Sequence, residues 1–336
     1  MNRRNYLIAL CAAIGLFIVI VDTQTAIKGA RSGIDICINS LIPTLLPFCF
    51  LSKLFASHCM STKKTRFSCL LNRVGIPDGA GILLLLGYVC GYPFGAQCIE
   101  DAYKNGNLSA KDGRHMLAFC NNAGPAFIFG VLGNLFRNTG PLWCIFTIQI
   151  CSSLAVGRIF CSTPSRKASF SNKHSADPAK IVPECVRSMA IICTWVILFR
   201  TGIEFLDRWI FWLLPMHIST TLIGLLELSN GCIRLYEIGT PGLRYILGSV
   251  MLASGGCCVA LQTFSVSKHI DTGLYIPGKL LQTCIAFLLA YSTQFFLFGK
   301  EQQYIAPLPI ILVCTLVIAG YLTFMLKTKK VVAFAK

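Results

Sequence analysis

The chain has 336 residues, of which 54% are hydrophobic and 13% charged, whereas a soluble domain carries about 25% charged residues. The low charge and the long apolar runs exclude an ordinary soluble domain and predict an all-α protein that crosses a bilayer several times. The formal net charge of +16 lies mainly in short loops and at the termini, as is typical of cytoplasmic membrane loops, and no readout motif predicts nucleic-acid binding.

The first quarter of the chain contains two apolar runs, a basic loop and a shorter interrupted run. Residues 6–21 follow a basic start, and we interpret them as an uncleaved first membrane helix, because no clean cleavage site follows. Residues 34–55 contain two prolines four apart, which indicate either a kinked packing helix or a kink beside a central cavity. Beyond the basic loop 61–73, residues 80–96 are too short for a span, which needs about 20 residues.

The middle of the chain is predicted to start a helix at Ser109, a typical N-cap residue. Apolar runs follow at 116–136 and 141–160. Residues 161–180 are basic and rich in serine, and we interpret them as the boundary between two halves.

The second half carries five further apolar runs and ends in a basic tail. These runs cover residues 181–199, 209–228, 243–266, 274–298 and 304–326.

A parity argument predicts the membrane topology. The two basic loops and both termini are placed in the cytoplasm, but three runs separate the two loops and five follow the second loop, whereas a return to one side needs an even number. One run in each half must therefore be re-entrant, and we choose 80–96 and 209–237. The result is about eight transmembrane helices plus two re-entrant hairpins, which allows an inverted repeat. Four basic residues then lie outside, against the positive-inside rule: Lys28, Arg31, Arg234 and Arg244.

Glycine and proline interrupt the apolar sequence at three places. A bilayer tolerates broken backbone only where protein or a water-filled cavity satisfies the freed N–H and C=O groups, so these places predict a binding or translocation centre. The glycine pair at 255–256 has an equally good interpretation as a site of close helix packing. The predicted breaks are at Gly91, Pro93, Gly95, Gly124, Pro125, Gly255 and Gly256.

Polar side chains accompany these breaks. A carboxylate in an apolar run, such as Glu227, is costly and is a functional-site hypothesis by default. Amide side chains both donate and accept, which suits a nucleobase, a sugar or another amide; alternatively, they only bond across helices, at about 0.6 kcal/mol each. The predicted substrate-binding residues are Gln97, Glu100, Asn121, Asn122, Glu227, Asn230 and Gln262.

Motifs of the common enzyme classes are missing from the sequence. The five histidines are dispersed and the 18 cysteines form no CxxC pair, so no metal site or cofactor is predicted. No Walker loop, GxSxG or GxGxxG occurs, and we expect the protein not to be an enzyme. Four charged residues near one helix end predict an ion-pair patch rather than a site: Arg200, Glu204, Asp207 and Arg208.

Five motifs, in order along the chain, resemble the YlbJ family of sporulation integral membrane proteins, which carry the Gate, or nucleoside recognition, domain. They are LIPTLLPFCFLSKLF at 41–55, GYPFGAQ at 91–97, FCNNAGPAFIFGVLG at 119–133, GLLELSNG at 224–231 and SGGCCVALQTFSV at 254–266. The resemblance implies a multipass protein of the bacterial cell membrane or the forespore-engulfing membrane, required for endospore formation at the cortex stage. It also implies distant similarity to concentrative nucleoside transporters.

Two functions are compatible with these observations. The protein recognises or transports a small polar solute, such as a nucleoside-like compound, with or without a coupling ion. Alternatively, it is a non-transporting scaffold that recruits other sporulation membrane proteins, chiefly through residues 161–180. The predicted segments are a membrane helix (1–30), a first Gate-like repeat (31–160), a basic cytoplasmic loop (161–180), a second Gate-like repeat (181–300) and a final helix with a basic tail (301–336).

Overall fold

The computed structural model describes residues 3–59, 68–160 and 178–334, and within these ranges the regular structure is helical. The α-helices are α1 (Arg3–Val21), α2 (Thr23–Ile36), α3 (Ile42–Cys59), α4 (Ser68–Arg73), α5 (Gly81–Val89), α6 (Phe94–Lys104), α7 (Ala110–Leu117), α8 (Pro125–Val131), α9 (Gly140–Ile159), α10 (Pro178–Trp209), α11 (Met216–Leu226), α12 (Leu228–Arg234), α13 (Pro241–Ser254), α14 (Gly256–Val266), α15 (Tyr275–Leu297) and α16 (Leu308–Phe334). The predicted all-α class is confirmed. Most of the two basic loops, at 60–67 and 161–177, lies outside the described residues.

Several helices are long and apolar enough to cross a membrane, which confirms a multipass membrane protein. In the described ranges these are Thr23–Phe55, Gly140–Ile159, Ile181–Trp209, Pro241–Val266 and Tyr275–Leu297. Shorter apolar helices cover Asn5–Val21, Met216–Leu226 and Leu308–Thr323. Large apolar side chains on the outer faces, such as Phe17, Leu198 and Phe296, are exposed, as expected for a surface that lipid covers.

The run predicted at 116–136 is not one continuous helix. The short helices α7 and α8 flank residues 118–124, which lack regular helical structure. Pro125 has no N–H and disfavours a helical conformation at Gly124, so the helix restarts at the proline. Ser109 caps α7 as predicted, because its hydroxyl accepts a hydrogen bond from the Asp112 N–H at 3.1 Å.

The second membrane helix starts earlier than the predicted position near residue 34. Helix α2 begins after Asp22, whose carboxylate accepts from the Thr25 N–H, and a π-helical turn at Cys37–Leu41 joins it to α3. The sequence of α2 is too polar to read as an apolar run. It is helical because one of its faces is buried against another helix, α10.

Two glycines bring α2 and α10 into close contact. A β-carbon at Gly29 would lie 2.7 Å from the Thr201 Cα, and one at Gly33 would lie 2.9 Å from the Ile197 Cα. The spacing of the two glycines is that of a GxxxG motif, in which small residues let two helix backbones approach closely.

The predicted ion-pair patch lies at one end of this helix pair. Glu204 accepts from Lys28 at 2.6 Å and from Arg200 at 2.8 Å, and Asp207 is paired with Arg234. The patch is therefore confirmed. Lys28 and Arg234, two of the basic residues that the topology places outside, both have carboxylate partners here.

The order of elements is similar in the two halves of the chain. A long helix, a hairpin of two short helices, a broken helix and a long helix occur as α3, α5–α6, α7–α8 and α9. The same order returns as α10, α11–α12, α13–α14 and α15. An inverted repeat requires such an order, whereas the proposed limits of the repeats stay a prediction.

In the first half, the tip of the hairpin packs directly on the break between α7 and α8. A β-carbon at Gly87 would lie 1.9 Å from the Cys120 carbonyl oxygen, and one at Gly91 would lie 2.7 Å from the Gly124 nitrogen. Gly91 also has a φ of +77°, which favours glycine. The two broken elements therefore touch backbone to backbone.

The second half contains an equivalent contact. A β-carbon at Gly231 would lie 2.2 Å from the Gly224 Cα, so the arms of the hairpin α11–α12 are tightly packed. A β-carbon at Gly256 would lie 2.9 Å from the Gly224 carbonyl oxygen. The break between α13 and α14 thus packs on this hairpin. The glycine pair serves close packing, and neither glycine lines the cavity described below.

The substitution Gly87→Ala should destabilise the protein by about 1–3 kcal/mol, the usual cost of an overpacked core, because the new methyl group meets a backbone carbonyl. Thermal unfolding in detergent measures the effect. Gly202→Ala is the control, since a β-carbon there has no neighbour within 4 Å. An equal midpoint for the two variants would contradict the close packing at Gly87.

A pH-dependent contribution to stability is expected from His115 on α7, outside the membrane-spanning helices. Burial lowers the pKa of His115, and its Nε2 lies 3.0 Å from the Val74 carbonyl oxygen. The folded protein therefore binds fewer protons here than the unfolded chain, so stability falls as the pH drops below about 6.5, the ordinary histidine value. Thermal midpoints between pH 8 and pH 5 should fall less for His115→Gln than for the wild type.

The control for this experiment is His217→Gln, because His217 is exposed. If His115→Gln and His217→Gln keep the same pH dependence as the wild type, the buried neutral imidazole is refuted.

Candidate functional site

A small cavity lies where elements of both halves meet. Gly91 and Tyr92 at the first hairpin tip, Gly124 before α8, and Glu227 at the second hairpin tip line it, together with Gln262 of α14. The π-helical turn, α3 and α10 provide apolar walls. The cavity has a volume of about 30 Å³, and one water needs about 10–15 Å³ of such space. It therefore has room for two waters or a small ion.

Glu227 is the charged residue of this cavity, and its carboxylate is only 2% exposed. It stands at the break between α11 and α12, where Oε1 accepts from the Ser229 N–H at 3.1 Å and Oε2 from the Asn230 N–H at 2.8 Å. The Asn230 side-chain amide donates a further bond to Oε2. In the described part of the chain, no ion pair to Glu227 is formed.

Two further polar groups on the cavity are poorly satisfied within the protein. The Tyr92 hydroxyl is buried and has no hydrogen-bond partner among the described residues. The Gln262 amide nitrogen donates to the Cys258 sulfur at 3.3 Å, and sulfur is a weak acceptor. Because buried polar groups are usually hydrogen-bonded, both groups remain suitable for a polar ligand or for water.

The structure separates Gln97 and Glu100 from this cavity, although we predicted both residues in the same substrate-binding site as Glu227 and Gln262. The Gln97 side-chain oxygen accepts from the Ser188 hydroxyl of α10 at 2.8 Å. Glu100 accepts from the backbone N–H of His269 and from its ring at 2.6 Å. Both residues follow the hairpin tip by a turn or more of α6, which directs them towards α10 and towards the loop after α14.

The two predicted asparagines lie behind the cavity rather than on it. Asn121 Nδ2 donates to the Thr263 hydroxyl of α14 at 2.8 Å, so it joins the two broken helices. Asn122 Nδ2 donates to the Phe119 carbonyl oxygen at 2.6 Å, and its Oδ1 faces α15. The predicted role of Asn230 also changes, because its contacts support Glu227.

A polar cluster around Asn122 contains residues that the sequence analysis missed. The Lys279 ammonium nitrogen lies 3.2 Å from Asn122 Oδ1 and 2.9 Å from Gln282 Oε1. Gln282 Nε2 donates to Asn122 Oδ1 at 2.8 Å and faces Gln149 Oε1 at 3.5 Å. We call Asn122, Gln149, Lys279 and Gln282 the lysine–amide cluster. Lys279 is the charged residue of its apolar run. A charged side chain in such a run predicts a functional site, as for Glu227, so the sequence did contain a signal for Lys279.

A metal centre is not indicated by the described residues, because no group of three or more His, Cys, Asp or Glu side chains that could hold an ion occurs among them. What the arrangement offers instead is a single buried carboxylate with a phenol and an amide nearby. These groups suit hydrogen bonding to a small polar molecule or contact with one monovalent cation.

The chain matches no family model and no solved structure. A curated relative, "Sporulation integral membrane protein YlbJ" of Bacillus subtilis (strain 168), is 26% identical over 167 residues, which cover 47% of this chain and 40% of the relative. The match thus spans less than half of the relative's length. It supports the resemblance that the five motifs carry.

Asn122→Ala should destabilise the protein, because it removes the acceptor that Lys279 and Gln282 share. An unsatisfied buried donor costs about 1–3 kcal/mol, and thermal unfolding in detergent measures the loss. Asn105→Ala is the control, since Asn105 is exposed. Similar midpoints for both variants would show that the lysine–amide cluster does not stabilise the fold.

Proposed function

We propose that this chain is a multipass membrane protein of endospore formation that recognises and transports a small polar solute at the cavity around Glu227. The sporulation role rests on the similarity to the relative named YlbJ. The solute role rests on the cavity, because it is lined by the interrupted elements of both halves.

The observation that carries the proposal is a buried carboxylate on a cavity, without a basic partner in the described part of the chain. Removing a carboxylate from water costs several kcal/mol even after relaxation. If Glu227 only capped α12, a neutral acceptor would serve the same purpose without that cost. A group that binds a cation or a polar solute, in contrast, needs the charge.

The size of the cavity supports a closed conformation. Pockets for drug-sized ligands measure about 300–1,000 Å³, whereas this cavity has about 30 Å³. A nucleoside-like solute would therefore enter only after the hairpin tips separate. A small coupling cation, in contrast, fits beside Glu227 without such movement.

The substitution Glu227→Gln should abolish function while the protein stays in the membrane, because the amide keeps one acceptor but loses the charge. We expect at least a tenfold loss of heat-resistant spores in a spore former that lacks its own copy of the gene. Uptake of radiolabelled nucleosides into proteoliposomes should fall as well. Glu237→Gln is the matched control, since Glu237 is exposed, and it should leave both measurements unchanged.

Different results distinguish the two candidate functions. Normal spores and unchanged uptake with Glu227→Gln would refute a role of the cavity. A harmless Glu227→Gln together with a complete loss of spores on deletion of residues 161–180 would favour the scaffold.

A further inference from the structure

Lys279 is a buried amine in a membrane-spanning helix, and it is only 3% exposed. Its hydrogen-bond partners are the amide oxygens of Asn122 and Gln282, at 3.2 and 2.9 Å. Within the described ranges, no Asp or Glu forms an ion pair with it. A buried charge is ordinarily paired, so the charge state of this amine needs a physical explanation.

The number of acceptors matches an uncharged amine. A protonated lysine carries three N–H donors, whereas a neutral amine carries two, and the described residues provide two acceptors. A third N–H would have no partner among the described residues, in addition to an uncompensated charge in an apolar surrounding. Both costs disappear if the amine has lost its proton.

The neighbouring groups do not supply a negative charge. Cys120, from the segment between α7 and α8, is the titratable side chain whose charge would act on Lys279, and its thiol is fully buried. Tyr275, one turn earlier on α15, faces the Thr263 hydroxyl. From α9 the cluster receives Gln149, a neutral amide that donates to the Ser249 carbonyl oxygen of α13.

We propose that Lys279 is a proton-binding site: an uncharged amine in this closed conformation, which takes up one proton from water when the lysine–amide cluster opens. The reaction forms one N–H bond at the lone pair of the amine and breaks one O–H bond of a hydronium ion, which leaves as water. The inference goes beyond the proposed function, because it holds whether or not a solute is transported.

The chain connects this site to the cavity. Asn122 lies two residues before Gly124, which lines the cavity, and both belong to the irregular segment 118–124. The third N–H of a protonated Lys279 needs water or a further acceptor. Movement of segment 118–124, which closes one wall of the cavity, would admit that water, so proton uptake and opening would be coupled.

The test compares neutral and charged replacements of Lys279 in the purified full-length protein in detergent. Lys279→Gln keeps two N–H donors without charge, Lys279→Met is apolar, and Lys279→Arg stays protonated. If the native group is a neutral amine, both neutral variants should unfold at higher temperature than Lys279→Arg. Lys53 is the matched control, because its ammonium nitrogen donates to the Glu184 carboxylate at 2.6 Å. Here the charged variant Lys53→Arg should unfold at a higher temperature than Lys53→Met.

A pH series supplies the second measurement. The unfolded chain keeps this lysine protonated between pH 7 and 9, whereas the folded protein excludes the proton, so the stability of the wild type relative to Lys279→Gln should rise with pH. The ratio of folded to unfolded wild-type protein, relative to the same ratio for Lys279→Gln, should rise by up to tenfold per pH unit. Each of three results would overturn the proposal. The first is a Lys279→Arg variant as stable as the neutral variants, the second is a failure of the neutral variants to fold, and the third is a difference in stability between the wild type and Lys279→Gln that stays the same at every pH.

Discussion

The backbone contact between each hairpin tip and the neighbouring broken helix is the constraint on which the rest of the structure depends. In an apolar surrounding, an interrupted helix must have its free N–H and C=O groups satisfied by protein or water. Glycines at 87, 91 and 124 in the first half, and at 224, 231 and 256 in the second, bring those backbones together. These contacts fix the positions of the broken helices and the hairpin tips. As a consequence, Tyr92 and Glu227 line the same cavity.

Two buried groups of opposite chemistry, the Glu227 carboxylate and the Lys279 amine, are kept apart by this arrangement. Each has neutral hydrogen-bond partners, backbone and amide N–H groups for Glu227 and amide oxygens for Lys279. A direct ion pair would satisfy both groups and remove the reason for either to bind anything else. Because the two groups are separated, neither has an ion-pair partner among the described residues.

Much of the local structure could be predicted from single residues. Ser109 acts as an N-cap, Pro125 restarts a helix, and Gly255 occurs at a break, because each of these effects depends on the residue and its nearest neighbours. Glu227 was also recognisable, since a carboxylate in an apolar run is costly in almost any membrane fold. Gln97 and Glu100 could not be placed, because the direction of a side chain on a short helix depends on what that helix packs against.

The sequence by itself determined the class of the protein, the helix breaks near Gly91, Gly124 and Gly255, and the acid at the second hairpin, because composition, proline and glycine act locally. Only the tertiary structure decided which polar groups meet. The contact of Lys279 with Asn122 joins residues 157 positions apart, and the cavity joins hairpin tips from both halves. Such contacts depend on helix packing between distant segments, which no local pattern in the chain specifies.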